Sequence, residues 1–266
     1  MPESTILLAI DTCGPTGSVA LGRLSGQVVD ILGQIELEGR NYSATLVAAV
    51  AELLAQSHVN MGEVGAIVVV NGPGSFTGVR VGLAAVKGLA EAAQTPVAAV
   101  SRLEVLAAIS GVTSAALDAH RHEVYLRVDE EGRVPQVRGP HGQVFVRGVE
   151  VPSLGPGKSQ TSNGSSPTEL LAGANELTSI SPAPKQIAFC DEAAALVLAL
   201  AWSATELIRT APPTAADALA LCGPRVAAGE FVDLGLLDGH YLRRSDAEIF
   251  GTETVGEPSA VVAQRP

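Results

Sequence analysis

The turn Gly72-Pro-Gly-Ser-Phe-Thr-Gly78 is the first place in this chain where residue type and spacing could do chemistry. It follows the apolar run Ala66–Val70 and leads into a helix-forming stretch. Backbone N–H groups at such a junction, with a helix dipole behind them, can hold an anion. Gly72 and Gly74 permit a tight turn, and Ser75 or Thr77 can cap the helix. The turn lacks the Lys-Ser/Thr of a phosphate loop and does not match G-x-G-x-x-G. Chemistry alone therefore favours a structural strand-to-helix turn, with an anion cradle as the alternative.

Other candidates are weaker. Gly155-Pro-Gly-Lys158-Ser159 looks like a phosphate loop, but Pro152 stands where the first glycine belongs, and Gln, Thr, Ser, Asn and Gly make a poor helix start. His120 and His122 sit in Asp118-Ala-His-Arg-His-Glu123 without an H-E-x-x-H arrangement, so a hydrated turn is preferred to a metal site. No serine is framed by G-x-S-x-G. Cys13, Cys190 and Cys222 are far apart and form no C-x-x-C, which fits buried thiols in a reducing compartment. No catalytic dyad emerges.

The elements that must position these residues follow from periodicity. Ile6–Thr12 predicts a buried strand, and Cys13–Gly17 a turn. Ser18–Leu24 and Val28–Leu37 predict two returning strands. Ser43 to about Ser57 predicts a helix with an apolar stripe at Leu46, Val50, Leu53 and Leu54. Ala44, Ala48, Ala51 and Ala55 form a second stripe of small residues, explained either by helix propensity or by close approach of another helix. Ala66–Val70 is a further strand, Thr77 to Ala93 a helix containing Gly82 and Gly88, and Val97–Val100 a short strand. Two interior glycines cost about 0.8–1 kcal/mol each against Ala, which suggests that something approaches that helix closely.

In the second half, Ser114–Asp118, Glu123–Asp129 and Val144–Val151 predict strands, and 152–167 a loop rich in Gly, Ser and Pro. Ile187–Cys190 predicts a strand, with helices from about Asp191 and over Ala215–Ala228. The tail from Gly251 is expected to be disordered. No internal repeat of 20–50 residues is visible. The expected division is 1–104 as a first lobe carrying docking helices, 105–250 as a second lobe with a flexible loop at 152–168, and 251–266 as the tail.

Bulk composition narrows the function. Hydrophobic residues make up 47% of the 266, so a sizeable core is available. Aromatics are only 3%, which argues against a base-stacking platform. With 17 basic against 28 acidic residues, the formal net charge is -11, so strong RNA binding by this chain alone is not expected. The acidic start is unlike a signal peptide, and no apolar run reaches the ~18–20 residues of a membrane span. A cytoplasmic protein is expected.

Several blocks together resemble the TsaB (YeaZ-like) family, the dimerisation subunit of the bacterial tRNA threonylcarbamoyladenosine complex. They are ILLAIDT (6–12) with SVALG (18–22), and NGPGSFTGVRVGLAAVKGLA (71–90) running on to PVAAVSRLEVLA (96–107). Weaker echoes are RNYS (40–43), DAHRHEVY (118–125) and YLRRSDAE (241–248). The resemblance is strong over about residues 5–130 and thin beyond. It implies an α/β, actin-like fold of two ribonuclease-H-like lobes, with mixed sheets flanked by helices.

It also implies a non-catalytic scaffold for tRNA modification. This scaffold pairs with a TsaD-type catalytic subunit and a TsaE-type ATPase, touches tRNA only through the complex, and forms a homodimer when its partner is absent. Ala48, Ala51, Ala55, Gly82, Ala85 and Gly88 are the expected interface positions. No cofactor is expected on this chain alone, with ATP and a divalent metal expected in the partner subunits. The catalytic relative carries H-x-x-x-H just after the strand matching Val97–Val100, and Arg102 and Leu106 stand there instead. In this fold a Gly-rich turn after an Asp usually grips phosphate. Asp11 is present, but Pro15 removes an amide donor from the turn that follows. Asp11, Gly72, Gly74, Ser75 and Thr77 remain candidates for a nucleotide-proximal turn. The rival reading is an active ATPase or phosphotransferase of the same fold, binding nucleotide between its lobes.

Overall fold

The computed structural model describes residues 4–39, 41–128 and 167–243. The expected strand at Val144–Val151, the loop at 152–166 and the tail lie outside them.

Strand β1 (Thr5–Asp11) is the spine of the first lobe. Leu7, Leu8, Ala9 and Ile10 are all fully buried, as a strand covered on both faces requires. It pairs antiparallel with β2 (Thr16–Ser25), which pairs antiparallel with β3 (Val28–Glu38). On its other side it pairs parallel with β4 (Val64–Val70), which is joined in parallel by β5 (Val97–Val100). The order is β3-β2-β1-β4-β5. Between these strands run α1 (Tyr42–Gln56) and α2 (Phe76–Ala93). Helix α1 buries Leu46, Val50, Leu53 and Leu54, the stripe that periodicity predicts. Helix α2 begins one residue early, with Ser75 as its N-cap, and ends on left-handed Gln94.

After α3 (Arg102–Ile109) the pattern repeats. Strands β6 (Ala115–Asp118), β7 (Glu123–Val128) and β8 (Thr168–Gly173) make an antiparallel meander. Strands β9 (Gln186–Phe189) and β10 (Glu206–Arg209) add in parallel on the far side of β6. The order β8-β7-β6-β9-β10 copies that of the first sheet. Helices α4 (Ala174–Leu177) and α5 (Glu192–Ala201) pack within this lobe. Two lobes of the same topology are the duplicated, actin-like architecture that the resemblance implies. The repeat is one of topology and spans more than a hundred residues, so it leaves no short period in the sequence.

Two boundaries differ from expectation. Position 104 falls inside α3, whose residues Arg102–Ala107 are all buried. Helix α6 (Ala215–Ala227), expected in the second lobe, packs into the first. Ala215, Leu219, Cys222 and Val226 share one core with β1, β2 and β4. Leu237 belongs to that core too. Arg225 of α6 forms an ion pair with Glu104 of α3, fastening the returning helix beside the crossover.

The two interior glycines of α2 have opposite environments. A side chain at Gly82 would overlap Thr12 Oγ1, whereas one at Gly88 would meet nothing within 4 Å. Gly88→Ala should therefore stabilise the protein by about 0.8–1 kcal/mol, which raises the melting temperature by roughly 2–4 °C. Gly82→Ala should lower it through overpacking costing about 1–3 kcal/mol. Thermal melts of the two variants check both signs.

Candidate functional site

The turn after β1 and the turn before α2 meet at the C-terminal ends of β1 and β4, where open sheets of this kind hold ligands. Here the two turns fill each other. A Cβ on Gly74 would overlap the Cys13 carbonyl, and one on Gly78 the Thr12 carbonyl. Ser75 N–H donates to the Cys13 carbonyl (2.8 Å), and Thr12 Oγ1 donates to the Gly78 carbonyl (2.7 Å). Tyr42 from α1 closes the outer side by donating its hydroxyl to the Gly14 carbonyl (2.8 Å). Ser75 rather than Thr77 caps α2, accepting from Gly78 N–H at 3.2 Å, and Thr77 is exposed.

Asp11 lies at the bottom of this junction, 1% exposed. Its Oδ1 accepts Cys13 N–H (2.8 Å), and its Oδ2 lies 3.6 Å from Arg102 Nε, itself buried. The Arg102 guanidinium reaches the turn so closely that a Cβ on Gly14 would overlap it. A cation of the protein therefore occupies ground beside the first turn. Burial pushes the Asp11 carboxyl above its ordinary range, against the pull of Arg102 and of the Cys13 N–H. Burial, then the Asp11 charge, push the Cys13 thiol up. Burial, then Asp11, take the Tyr42 phenol to about 12. A thiol must ionise to become a nucleophile, so neither Cys13 nor Tyr42 is an activated group.

A second buried cluster joins the lobes, and the residue reading missed it. Glu169 on β8 is fully buried. Its Oε1 accepts from Arg127 of β7 at 2.7 Å, and its Oε2 accepts from Ser101 Oγ at 2.6 Å and lies 3.0 Å from His240 Nε2. Ser101 follows β5 and caps α3, accepting Leu103 N–H (3.2 Å). His240 N–H donates to the Asn71 carbonyl (2.7 Å), and its own carbonyl stands over Gly72. Arg102 N–H donates to the Gly72 carbonyl (2.7 Å). The Gly72 turn, the start of α3 and the chain after α6 thus converge on one second-lobe carboxylate. Ser101-Arg-Leu-Glu104 has the helix-capping spacing and was the one available signal. No sequence signal marks Glu169, which lies just past the loop expected at 152–168.

The expected interface positions are divided. Ala48, Ala51 and Ala55 are exposed on α1, together with Ala44 and Val47, the last 60% exposed. On α2, Gly88 is exposed and Ala85 half-buried. Gly82 does not belong with them. It is buried against Thr12, so its missing side chain serves contact within the lobe.

His120, Arg121 and His122 form a turn in which all three have left-handed backbone (φ 61°, 58° and 61°). Asp118 holds it, accepting His120 N–H at 2.8 Å and facing His120 Nδ1 at 2.9 Å. Arg243 braces it by bonding the His120 carbonyl and pairing with the Glu123 carboxylate. Among the described residues no group of three His, Cys, Asp or Glu side chains is placed to hold a metal ion, and no helix is long and apolar enough to cross a membrane.

Comparison with known proteins supplies a frame. The family model TsaD, tRNA N6-adenosine threonylcarbamoyltransferase, matches residues 34–223. The tRNA threonylcarbamoyladenosine biosynthesis protein TsaB of Bacillus subtilis is 37% identical over 123 residues, covering 45% of this chain and 52% of the relative. TsaB of Escherichia coli is 37% identical over 125 residues, covering 45% and 52%. The chain therefore spans about half the length of these curated relatives. A solved structure, YeaZ from Pseudomonas aeruginosa, is 26% identical with a TM-score of 0.60, covering 90% of this chain and all of that one.

Glu169 gives the site a testable electrostatic signature. Hydrogen bonds and charge from His240, with Arg127 and Ser101, outweigh burial and hold its carboxyl below the ordinary range. A depressed carboxylate adds stability above its unfolded pKa of about 4.3, and that stability is lost as pH falls through the lower folded value. Glu169→Gln leaves Arg127 buried without its counter-charge. It should cost about 3–5 kcal/mol at pH 7 and flatten the acid limb of stability. Urea denaturation of both proteins at pH 7 and down to pH 3 would check this.

Proposed function

The chain belongs to the TsaD family, among its TsaB-type members, and we propose that it is a non-catalytic scaffold subunit in the formation of threonylcarbamoyladenosine on tRNA. One observation carries the non-catalytic part. Arg102, at a position where the catalytic relative has a metal-binding histidine, lies against the first turn and faces Asp11. A cation there repels a metal ion and takes up the Asp11 carboxylate that could otherwise help to hold one. The absence of an activated thiol or phenol in the same junction points the same way.

The docking part rests on α1. Its inner stripe is buried in the lobe, while Ala44, Val47, Ala48, Ala51 and Ala55 present a low apolar surface to solvent. Such a surface allows a second helix to pack at short distance. Gly88 and Ala85 extend it onto α2. In this reading a TsaD-type subunit covers that face, a TsaE-type ATPase joins the assembly, and a second copy covers the face when the partner is absent. The net charge of -11 leaves tRNA to the partners. The rival, a nucleotide-binding ATPase or phosphotransferase, requires an open grip after Asp11.

Reconstitution with the TsaD-type and TsaE-type proteins of the same organism tests the proposal. tRNA modification is expected to depend on this chain, while calorimetry of the chain alone with magnesium-ATP shows no binding in the micromolar range. Modification that proceeds without it would sink the scaffold reading, and micromolar ATP binding would favour the rival. Ala48→Glu with Ala51→Glu should weaken complex formation at least about tenfold, since two carboxylates buried without partners in a close-packed interface are costly. The melting temperature should stay within a few degrees, because both sites are exposed.

A further inference from the structure

Helix α2 and the chain after α6 enclose a groove of about 410 Å³. Its apolar floor includes Phe76, Leu83 and Leu237. Arg80 stacks over the Phe76 ring, 3.7 Å from its centre, and lies 5.8 Å from that of Tyr241. The two rings are themselves 5.0 Å apart. This stacking fixes the guanidinium at the groove's rim. Lys87 lies seven residues on, two helical turns or about 10 Å along the same side of α2. Neither Arg80 nor Lys87 forms an ion pair with a described residue. Asp238, the acid in the lining, turns a carboxylate oxygen to Gly239 N–H (2.7 Å). Arg243, also in the lining, is already paired with Glu123.

Two cations that no described residue pairs, set over an apolar floor, stand out on a chain with 28 acidic and 17 basic residues. We infer that this groove is a docking site for a partner protein segment that presents an apolar side chain flanked by two carboxylates about 10 Å apart. The cations match that charge pattern and fix the segment's register, while the rings and Leu237 take the apolar group. A peptide segment fits better than a nucleic acid. RNA binding draws its affinity from many phosphate neutralisations, and the groove offers two cations on a protein whose overall field repels polyanions. The inference rests on the reading of this chain as a docking subunit and names the chemistry that the partner must bring.

The test measures binding of the purified full chain to the TsaD-type subunit across a range of salt. The variants are Arg80→Glu with Lys87→Glu, and Arg80→Gln with Lys87→Gln. The charge reversal should weaken binding about a hundredfold and flatten its salt dependence, the neutral pair should lose less, and both should melt like wild type. Wild-type binding that the reversal leaves unchanged overturns this inference and spares the docking reading. Absence of wild-type binding overturns both. If the reversal abolishes binding of tRNA to the chain while subunit binding persists, the groove is a nucleic-acid site and the inference is overturned.

Discussion

The first lobe depends on how closely two turns of backbone approach one another. Carbonyl oxygens of Thr12 and Cys13 lie where side chains at Gly78 and Gly74 would have to go. That contact brings α2 down onto the end of β1, and the Ser75 and Thr12 hydrogen bonds hold it there. Folds of this type place ligands where strand ends diverge. Here the same strand ends are pressed shut. The glycine turn that looks most like a ligand loop in the sequence is consumed by packing inside the lobe.

Closing that junction leaves a charge problem, and the protein solves it twice in different ways. Asp11 is buried with a single cation at 3.6 Å and one N–H donor, and burial raises its pKa. Glu169 is equally buried, yet a guanidinium, a hydroxyl and an imidazole surround it and its pKa falls. The number and quality of hydrogen bonds separate the two, since both have left water. The better-solvated carboxylate is the one that joins the lobes. Its ligands come from the cap of α3, from β7 and from the segment after α6, so lobe orientation is tied to ionic contacts as well as to apolar packing.

Much of the first lobe was legible because its signals are local. The buried run at Leu7–Ile10, the stripe on α1 and the breaks at Gly72 and Pro96 each report on their own element. The edges moved by a residue or two. What was not legible depends on distant partners. Helix α3 is buried from Arg102 to Ala107, so it has no solvent-facing polar stripe to mark its period. Helix α6 reads as an ordinary amphipathic helix, and nothing local says which lobe receives it. Gly82 and Gly88 are the same residue on the same helix, and only Thr12 distinguishes them. Glu169 and His240 lie 71 positions apart and meet only once both lobes exist. The resemblance at 71–107 indicated the family, and with it the duplicated sheets, which periodicity alone could not reveal.

Because α6 completes the first core, the second lobe is in effect inserted into the first. A ribosome emits β1 to β5 early, but the helix that covers β1 and β2 appears more than a hundred residues later. During that interval one side of the first sheet lacks its native cover, while strands 115–209 can already assemble. Domains generally fold as units in the order of their synthesis, and here that order is inverted: the lobe that starts first finishes last. The newly made chain must shield Leu24 and its neighbours on that face until Leu219 and Val226 arrive.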